Sequence, residues 1–317
     1  MSEISEKLPV PNDRETLFSK NIIIDGKNFT YVKSREFSPV SIYVMENLFL
    51  KTGPKDVLIK ELDFQKHLFE LGFPVPKIIA QGEDKGMFYF IEESLGKNNL
   101  ENIFLQDTRE HGEISNEHFS EFMNITKIYT ISQIKTSTEC EGKERFTKDL
   151  LRDDEINTEI PSLTQKTNQA VKKALDALSV FPTVLTHGDF HPANLFPKGV
   201  IDLEGFALAP IGYDLLANIY SAHILIHPGK KNVTHKMYSF TRKQINQYLD
   251  EIDKIFIINE LPKPSEYKNH FIFLRLIWAT VRMQRWPKTQ TQRYELYDKI
   301  LSEYLKGGNI ENLLVNY

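Results

Sequence analysis

The chain has 317 residues and one cysteine, Cys140. A single thiol excludes an intramolecular disulfide and fits a reducing compartment. Cys140 follows the polar run Thr136-Ser137-Thr138-Glu139, so it is expected to be exposed or half-buried. Long apolar runs are missing too. No stretch reaches the roughly 20 apolar residues a membrane-spanning helix needs. Met1 to Glu6 is polar and has no apolar signal core. A cytoplasmic protein without a membrane partner is the expectation. Neither sign of charge dominates, since 39 Lys and Arg stand against 43 Asp and Glu, a formal net charge of −4. That excludes the global basic excess of a nucleic-acid binder. Internal repeats and low-complexity tracts are absent. What is there, 41% hydrophobic and 26% charged residues, is ordinary for a soluble globular chain. The length allows one large domain or two lobes around a substantial core.

One stretch carries chemistry. Thr186-His187-Gly188-Asp189-Phe190-His191-Pro192-Ala193-Asn194 is followed by Ile201-Asp202-Leu203-Glu204. The apolar run Phe181 to Leu185 leads in, and Leu195-Phe196 and Gly199-Val200-Ile201 flank a short turn. The pattern predicts a loop followed by a hairpin, holding three oxygen-bearing side chains at one mouth. Phosphoryl transfer from a nucleotide needs such a set. One carboxylate takes the hydroxyl proton, while a carboxamide and a second carboxylate hold Mg²⁺. The interval from Asp189 to Asn194 equals that of a protein-kinase catalytic loop, and Asp202 stands where the metal-binding Asp would follow. Asp189 is thus the candidate base, and Asn194 and Asp202 are the candidate metal ligands. Mg²⁺ prefers oxygen ligands and keeps water and phosphate in its shell, so few protein ligands suffice.

His-Gly-Asp-x-His-x-x-Asn with a following Asp-x-Glu resembles the aminoglycoside phosphotransferase and choline kinase-like family of small-molecule kinases. The resemblance covers residues 184–217 in motif and most of the chain in layout. It implies an α+β, protein-kinase-like two-lobe fold. It also implies ATP or GTP and Mg²⁺ as cofactors, and a small-molecule hydroxyl as substrate. His187 is expected to pack under the loop as a structural residue; for His191 a satisfied structural histidine is the first reading, and orienting the loop the second. Glu204, two residues after Asp202, is expected as an outer or substrate-facing carboxylate. Asp214, in Gly212-Tyr213-Asp214-Leu215-Leu216-Ala217, would brace the loop; a simple helix cap is an equal reading, and capping does not exclude bracing.

Strand and helix signals agree with that layout. Phe29 to Val32, Ser41 to Met45, Leu48 to Lys51, Ile78 to Ala80 and Met87 to Ile91 read as strands, with Glu46-Asn47 as a turn. Val57 to Leu71 has helical spacing, stopped by Gly72, Pro74 and Pro76. The expectation is a five-stranded antiparallel sheet with one helix over residues 21–91, within the nucleotide-binding N-lobe, 1–94. The catalytic and substrate-binding C-lobe, 95–317, is expected to be mainly helical. Its helix candidates are Asn116 to Ile134 (apolar at 119, 122, 125, 128 and 131), Leu163 to Leu178, Tyr213 to Ile226, His235 to Ile252, Tyr267 to Met283 and Arg293 to Leu305.

On the nucleotide side, the family needs a strand Lys held by a helix Glu. Lys51 and Glu61 fit and are expected to pair. Lys60 is set aside because helical periodicity begins around it. Glu92 opens the hinge Glu92-Glu93-Ser94-Leu95-Gly96 and completes the set. Two features depart from the family. The loop Ser34 to Ser41 has no glycine, so it is no Gly-x-Gly-x-x-Gly phosphate loop. The hydroxyls of Ser38 and Ser41 are its candidate phosphate contacts. Phe49 shares a strand face with Lys51, where kinases carry a small residue, which leaves ATP versus GTP open. A protein kinase is disfavoured because no Ala-Pro-Glu segment follows Asp202. The alternative from another class is a non-catalytic nucleotide- or ligand-binding module on a kinase-like fold.

Overall fold

The computed structural model describes residues 21–35, 39–138, 140, 146, 148–203, 206–224, 238–282 and 287–315. They divide into two compact units. The first runs through Lys66 and resumes over Lys77–Ser94. The second comprises His67–Pro76 and Leu95–Tyr317.

The first unit is built on β1 (Asn21–Ile24), β2 (Lys27–Ser34), β3 (Ser41–Met45), β4 (Leu48–Gly53), α1 (Lys55–Glu70), β5 (Ile78–Asp84) and β6 (Met87–Glu93). The strands form one six-stranded antiparallel sheet in the order β1-β2-β3-β4-β6-β5. That is one strand more than the five expected. The extra hairpin has a readable cause. Asp25-Gly26 occupies a two-residue turn with positive φ at both positions, 49° and 74°, and Asp-Gly is a strong signal for that turn. Each sheet face has its own cluster. Phe29, Tyr43, Leu50 and Ile91 pack on one side. Phe88, Phe90 and Val40 pack with Leu58 and Leu62 of α1 on the other. Lys60 lies on α1 and is exposed.

The second unit contains α2 (Leu100–His111), α3 (Asn116–Lys135), the short α4 (Lys148–Leu151) and α5 (Asp153–Glu159), and α6 (Thr164–Ala177). Then come β7 (Thr183–Thr186), β8 (Leu195–Phe196), β9 (Gly199–Val200) and β10 (Ala207–Pro210). It closes with α7 (Tyr213–Ile224), α8 (Arg242–Ile258), α9 (Lys268–Arg282), α10 (Pro287–Leu305) and α11 (Glu311–Val315). β7 pairs with β10, and β8 with β9, each antiparallel. The unit is mainly helical and carries the expected short hairpin. Together the two units make a kinase-like α+β chain. Among the described residues no helix is long and apolar enough to cross a membrane.

Three local expectations are corrected. Cys140 is buried, its N–H bonded to the Thr136 carbonyl at 3.1 Å in the turn after α3. A thiol behaves as a small hydrophobe, and its polar neighbours do not set its burial. In α3, Phe119, Phe122 and Ile125 are buried, but Ile128 and Ile131 are each 46% exposed. A spacing of three falls short of the 3.6-residue turn, so it drifts round the helix. The inward face passes instead to Thr126, Tyr129, Thr130 and Gln133. Helix α8 begins at Arg242, where Thr241 and Gln244 form a reciprocal cap. Residues 235–237 of the expected helix lie outside the described residues.

Candidate functional site

In the first unit, strand alternation decides what meets what. Lys51 of β4 lies opposite Phe90 of β6. The face that carries Phe88 and Phe90 carries Glu92 next. Glu61 and Gln65, one helical turn apart on α1, meet that face. Lys51 Nζ lies 2.9 Å from Glu61 Oε1, 3.0 Å from Glu92 Oε1 and 5.1 Å from the Phe90 ring centroid. Gln65 Nε2 donates to Glu92 Oε2 at 2.9 Å. Arg35, just beyond β2, grips Glu61 with two parallel bonds of 2.7 and 2.9 Å. The cluster therefore sets two cations against two carboxylates. Burial lowers the affinity of Lys51 for its proton, but Glu92 and Glu61 outweigh it and the net shift is upward. For Glu61, burial is outweighed by Lys51 and Arg35, and its carboxyl is held below the ordinary value. Lys51 thus stays cationic and Glu61 anionic.

The expected Lys51–Glu61 pair is present. Arg35 and Gln65 as its companions were not foreseen. Glu92 lies within β6 and not in the linker after it, with its side chain buried against α1. Phe49 is half-buried and opposite Glu92 in register. Ser41 is corrected. It is fully buried, and its hydroxyl is 3.0 Å from that of Ser34, its register partner across β2–β3. The geometry makes it a staple between strands and not a phosphate contact. Ser38 lies outside the described residues.

In the second unit the Thr186–Asn194 loop is fixed from below by a buried carboxylate. Asp214, at the start of α7, is 1% exposed. Its Oδ2 accepts the Tyr129 hydroxyl at 2.5 Å and the His187 N–H at 2.8 Å, and its Oδ1 accepts the Gly188 N–H at 3.1 Å. Burial raises the Asp214 carboxyl above its ordinary value, against the pull of His187 and Tyr129. Gly188 turns the chain with φ 78°, a conformation glycine adopts without steric cost.

His187 is fully buried and links two parts of the site. Its Nδ1 accepts the Asp189 N–H at 3.2 Å, and its Nε2 reaches the Ile201 carbonyl at 2.8 Å. A backbone N–H must donate and a carbonyl must accept, so these partners select the Nε2–H tautomer. The ring thus ties Asp189 to the residue before Asp202. Asp202 is exposed and holds φ 66°, in the left-handed region. Non-glycine residues held there cluster at functional sites.

Asn194 donates Nδ2 to the Asp189 carbonyl at 3.0 Å, so its Oδ1 is the amide's acceptor atom. His191 Nδ1 accepts the Ala193 N–H at 3.2 Å, so its Nε2–H faces Asp189 Oδ1 at 3.5 Å. Arg275 of α9 reaches the same oxygen, with Nη2 3.0 Å from Asp189 Oδ1, and gives Nη1 to the Gly188 carbonyl at 2.6 Å. Among the described residues no group of three or more His, Cys, Asp or Glu is placed to hold a metal ion. The oxygen donors of Asn194 and Asp202 suit a hard cation that takes the rest of its shell from phosphate and water. Glu204 lies outside the described residues.

Sequence reasoning missed Arg275 and Tyr129. Arg275 did leave a signal, as the lone charge in Phe271-Ile272-Phe273-Leu274-Arg275-Leu276-Ile277-Trp278, because a charged residue inside a buried helix is seldom there without a partner. Tyr129 left none. An expected outcome follows for the brace. Asp214→Asn keeps one carbonyl oxygen and turns an NH₂ toward a buried donor. Leaving such a donor unpaired costs about 1–3 kcal/mol. Urea unfolding of this variant should show a loss of that size, and full wild-type stability would contradict the bracing role.

Comparisons with known proteins bear on the family and the fold. The chain matches the family model for the phosphotransferase enzyme family over residues 43–226, more than half its length. No curated protein matches it. Among solved structures it is similar to a putative aminoglycoside phosphotransferase from Ralstonia eutropha JMP134, with 15% identity, 89% of this chain and 93% of that one covered, and a TM-score of 0.51. It is also similar to an aminoglycoside-3′-phosphotransferase of type VIII, with 14% identity, coverage of 78% and 93%, and a TM-score of 0.50. A choline/ethanolamine kinase family protein from Mesorhizobium loti follows at 10% identity, with coverage of 88% and 87% and a TM-score of 0.50. These identities support a shared fold. The family match carries the assignment, and with the signature loop inside the matched range the chain belongs to the phosphotransferase enzyme family, acting on a hydroxyl acceptor.

Proposed function

We propose that this protein moves the γ-phosphoryl group of ATP, or of GTP, to a hydroxyl of an aminoglycoside-, choline- or sugar-like small molecule, with Asp189 as base. One observation carries the reading: the Asp189 carboxylate is aimed by Arg275 and His191 while its carbonyl orients the Asn194 amide. In the reaction, the acceptor oxygen bonds to phosphorus as the bond to the leaving ADP oxygen breaks. The hydroxyl proton passes to Asp189. The protein does little covalent work, so its contribution is positioning and charge. Asn194 and Asp202 would hold Mg²⁺, which supplies charge neutralisation at the phosphates. The first unit would hold the nucleotide, with Lys51 as the phosphate anchor. The second would hold the acceptor.

ADP release from Mg–ATP and Mg–GTP against a panel of hydroxylated metabolites and antibiotics tests the reading. Turnover with an acceptor supports it. The competing reading, a binding module without turnover, draws on Lys51 being shared by two carboxylates, which weakens its pull on an incoming phosphate. Nucleotide binding with no ADP release from any acceptor would favour the module. Lys51→Ala should keep the fold, because Arg35 still neutralises Glu61 and Gln65 still holds Glu92. It should weaken Mg–nucleotide binding by roughly 10–100-fold, the loss of one charge-assisted contact of about 1.5–3 kcal/mol. Calorimetry with an unchanged Kd would remove Lys51 from the nucleotide site.

A further inference from the structure

The geometry points to Arg275 as the residue that positions the base: its guanidinium bridges the Gly188 carbonyl and the Asp189 carboxylate and so fixes the rotation of that carboxylate relative to its own backbone. The inference rests on the reading of Asp189 as base and names a residue outside the 43–226 range of the family match.

Several observations carry it. Arg275 is 4% exposed and sits mid-way along α9 among residues that are otherwise apolar and buried. A cation in such a place is costly unless fully paired, and this one is paired. Nη1 gives 2.6 Å to Gly188 O, and Nη2 gives 3.0 Å to Asp189 Oδ1. The guanidinium carbon lies 3.5 Å from the Trp278 ring centroid. Trp278 is three residues on, so the indole lies on the same helical face and holds the plane of the fork.

The arrangement needs arginine. A planar fork spans two acceptors on neighbouring residues, whereas a lysine ammonium is a point charge that meets one of them. Backbone carbonyl and carboxylate are thereby held as a unit. His191 Nε2 addresses the same Oδ1 from the loop itself at 3.5 Å, so the carboxylate is fixed from two directions. Misplacing a reacting group by about 1 Å costs up to about 10²-fold in rate.

The test is a double-mutant cycle on the full-length protein, read by ADP release from Mg–ATP. Water serves as the acceptor, as does any active member of the hydroxyl panel. Arg275→Gln should lower kcat by roughly 10–100-fold with KM for Mg–ATP unchanged. In an Asp189→Asn background the same change should cost nothing further, because it acts through Asp189. Arg275→Lys should fall between wild type and Arg275→Gln, and it stands in if Arg275→Gln does not fold. Equal losses in both backgrounds, or a loss shared between kcat and KM, would overturn the positioning role and leave the kinase reading intact. Full turnover by Asp189→Asn, or no ADP release by the wild type with any acceptor, would overturn the kinase reading and the inference with it.

Discussion

Asp189→Asn should keep the shape of the protein and its nucleotide affinity and lose turnover by roughly 10²–10⁴-fold, the usual span for a positioned acid or base. The shape should persist because the amide oxygen of Asn accepts from Arg275 Nη2 as the carboxylate does. The backbone contacts of residue 189, its N–H to His187 and its carbonyl to Asn194, do not involve the side chain that changes. What disappears is the capacity to take the acceptor proton. Steady-state kinetics on the acceptor found in the panel, with calorimetry on Mg–ATP alongside, separate the two. Normal turnover by this variant would end the assignment of Asp189 as base.

Asp202→Asn should produce a loss of different character. Its backbone holds φ 66°, and asparagine tolerates that left-handed conformation better than alanine does. The substitution therefore removes charge without adding strain. Losing the carboxylate opposite a divalent cation removes several kcal/mol of charge stabilisation, with every 1.36 kcal/mol worth about tenfold in rate. Turnover should fall by at least about 10²-fold, and the Mg²⁺ concentration needed for half-maximal rate should rise. Titration calorimetry of the Mg–nucleotide pair should show weakened binding as well, unlike Asp189→Asn. Unchanged metal dependence would remove Asp202 from the site.

Local pattern made most of the architecture legible. The apolar alternation of Met87 to Ile91 and the glycine and prolines after α1 mark elements by rules that need no tertiary context. The family was legible because its signature loop constrains residue type and interval together. What stayed hidden is what depends on contacts distant in sequence. Arg35 meets Glu61 across 26 residues and Arg275 meets Asp189 across 86, and no local period encodes either meeting. Ser41 shows the reverse error. Read in its loop it offers a hydroxyl to a ligand, but its register opposite Ser34 turns that hydroxyl inward. Cys140 and the outward turn of Ile128 and Ile131 belong to the same class, since packing partners and not neighbours in sequence decide burial.

The Asp214 brace also bears on how the molecule assembles. Its carboxylate gathers the hydroxyl of Tyr129, 85 residues before it, and two amides of the signature loop. The entropy of closing so long a segment is lost before these bonds form, and such distant pairings are rewarded late on a folding pathway. The loop's own bonds, such as Asp189 N–H to His187 and Asn194 to the Asp189 carbonyl, shape it locally, but its anchor arrives only when α3 and α7 dock. Competence for phosphoryl transfer is therefore acquired in the same cooperative step as the helical core and is lost with it. No intermediate that lacks that core would hold Asp189 in place.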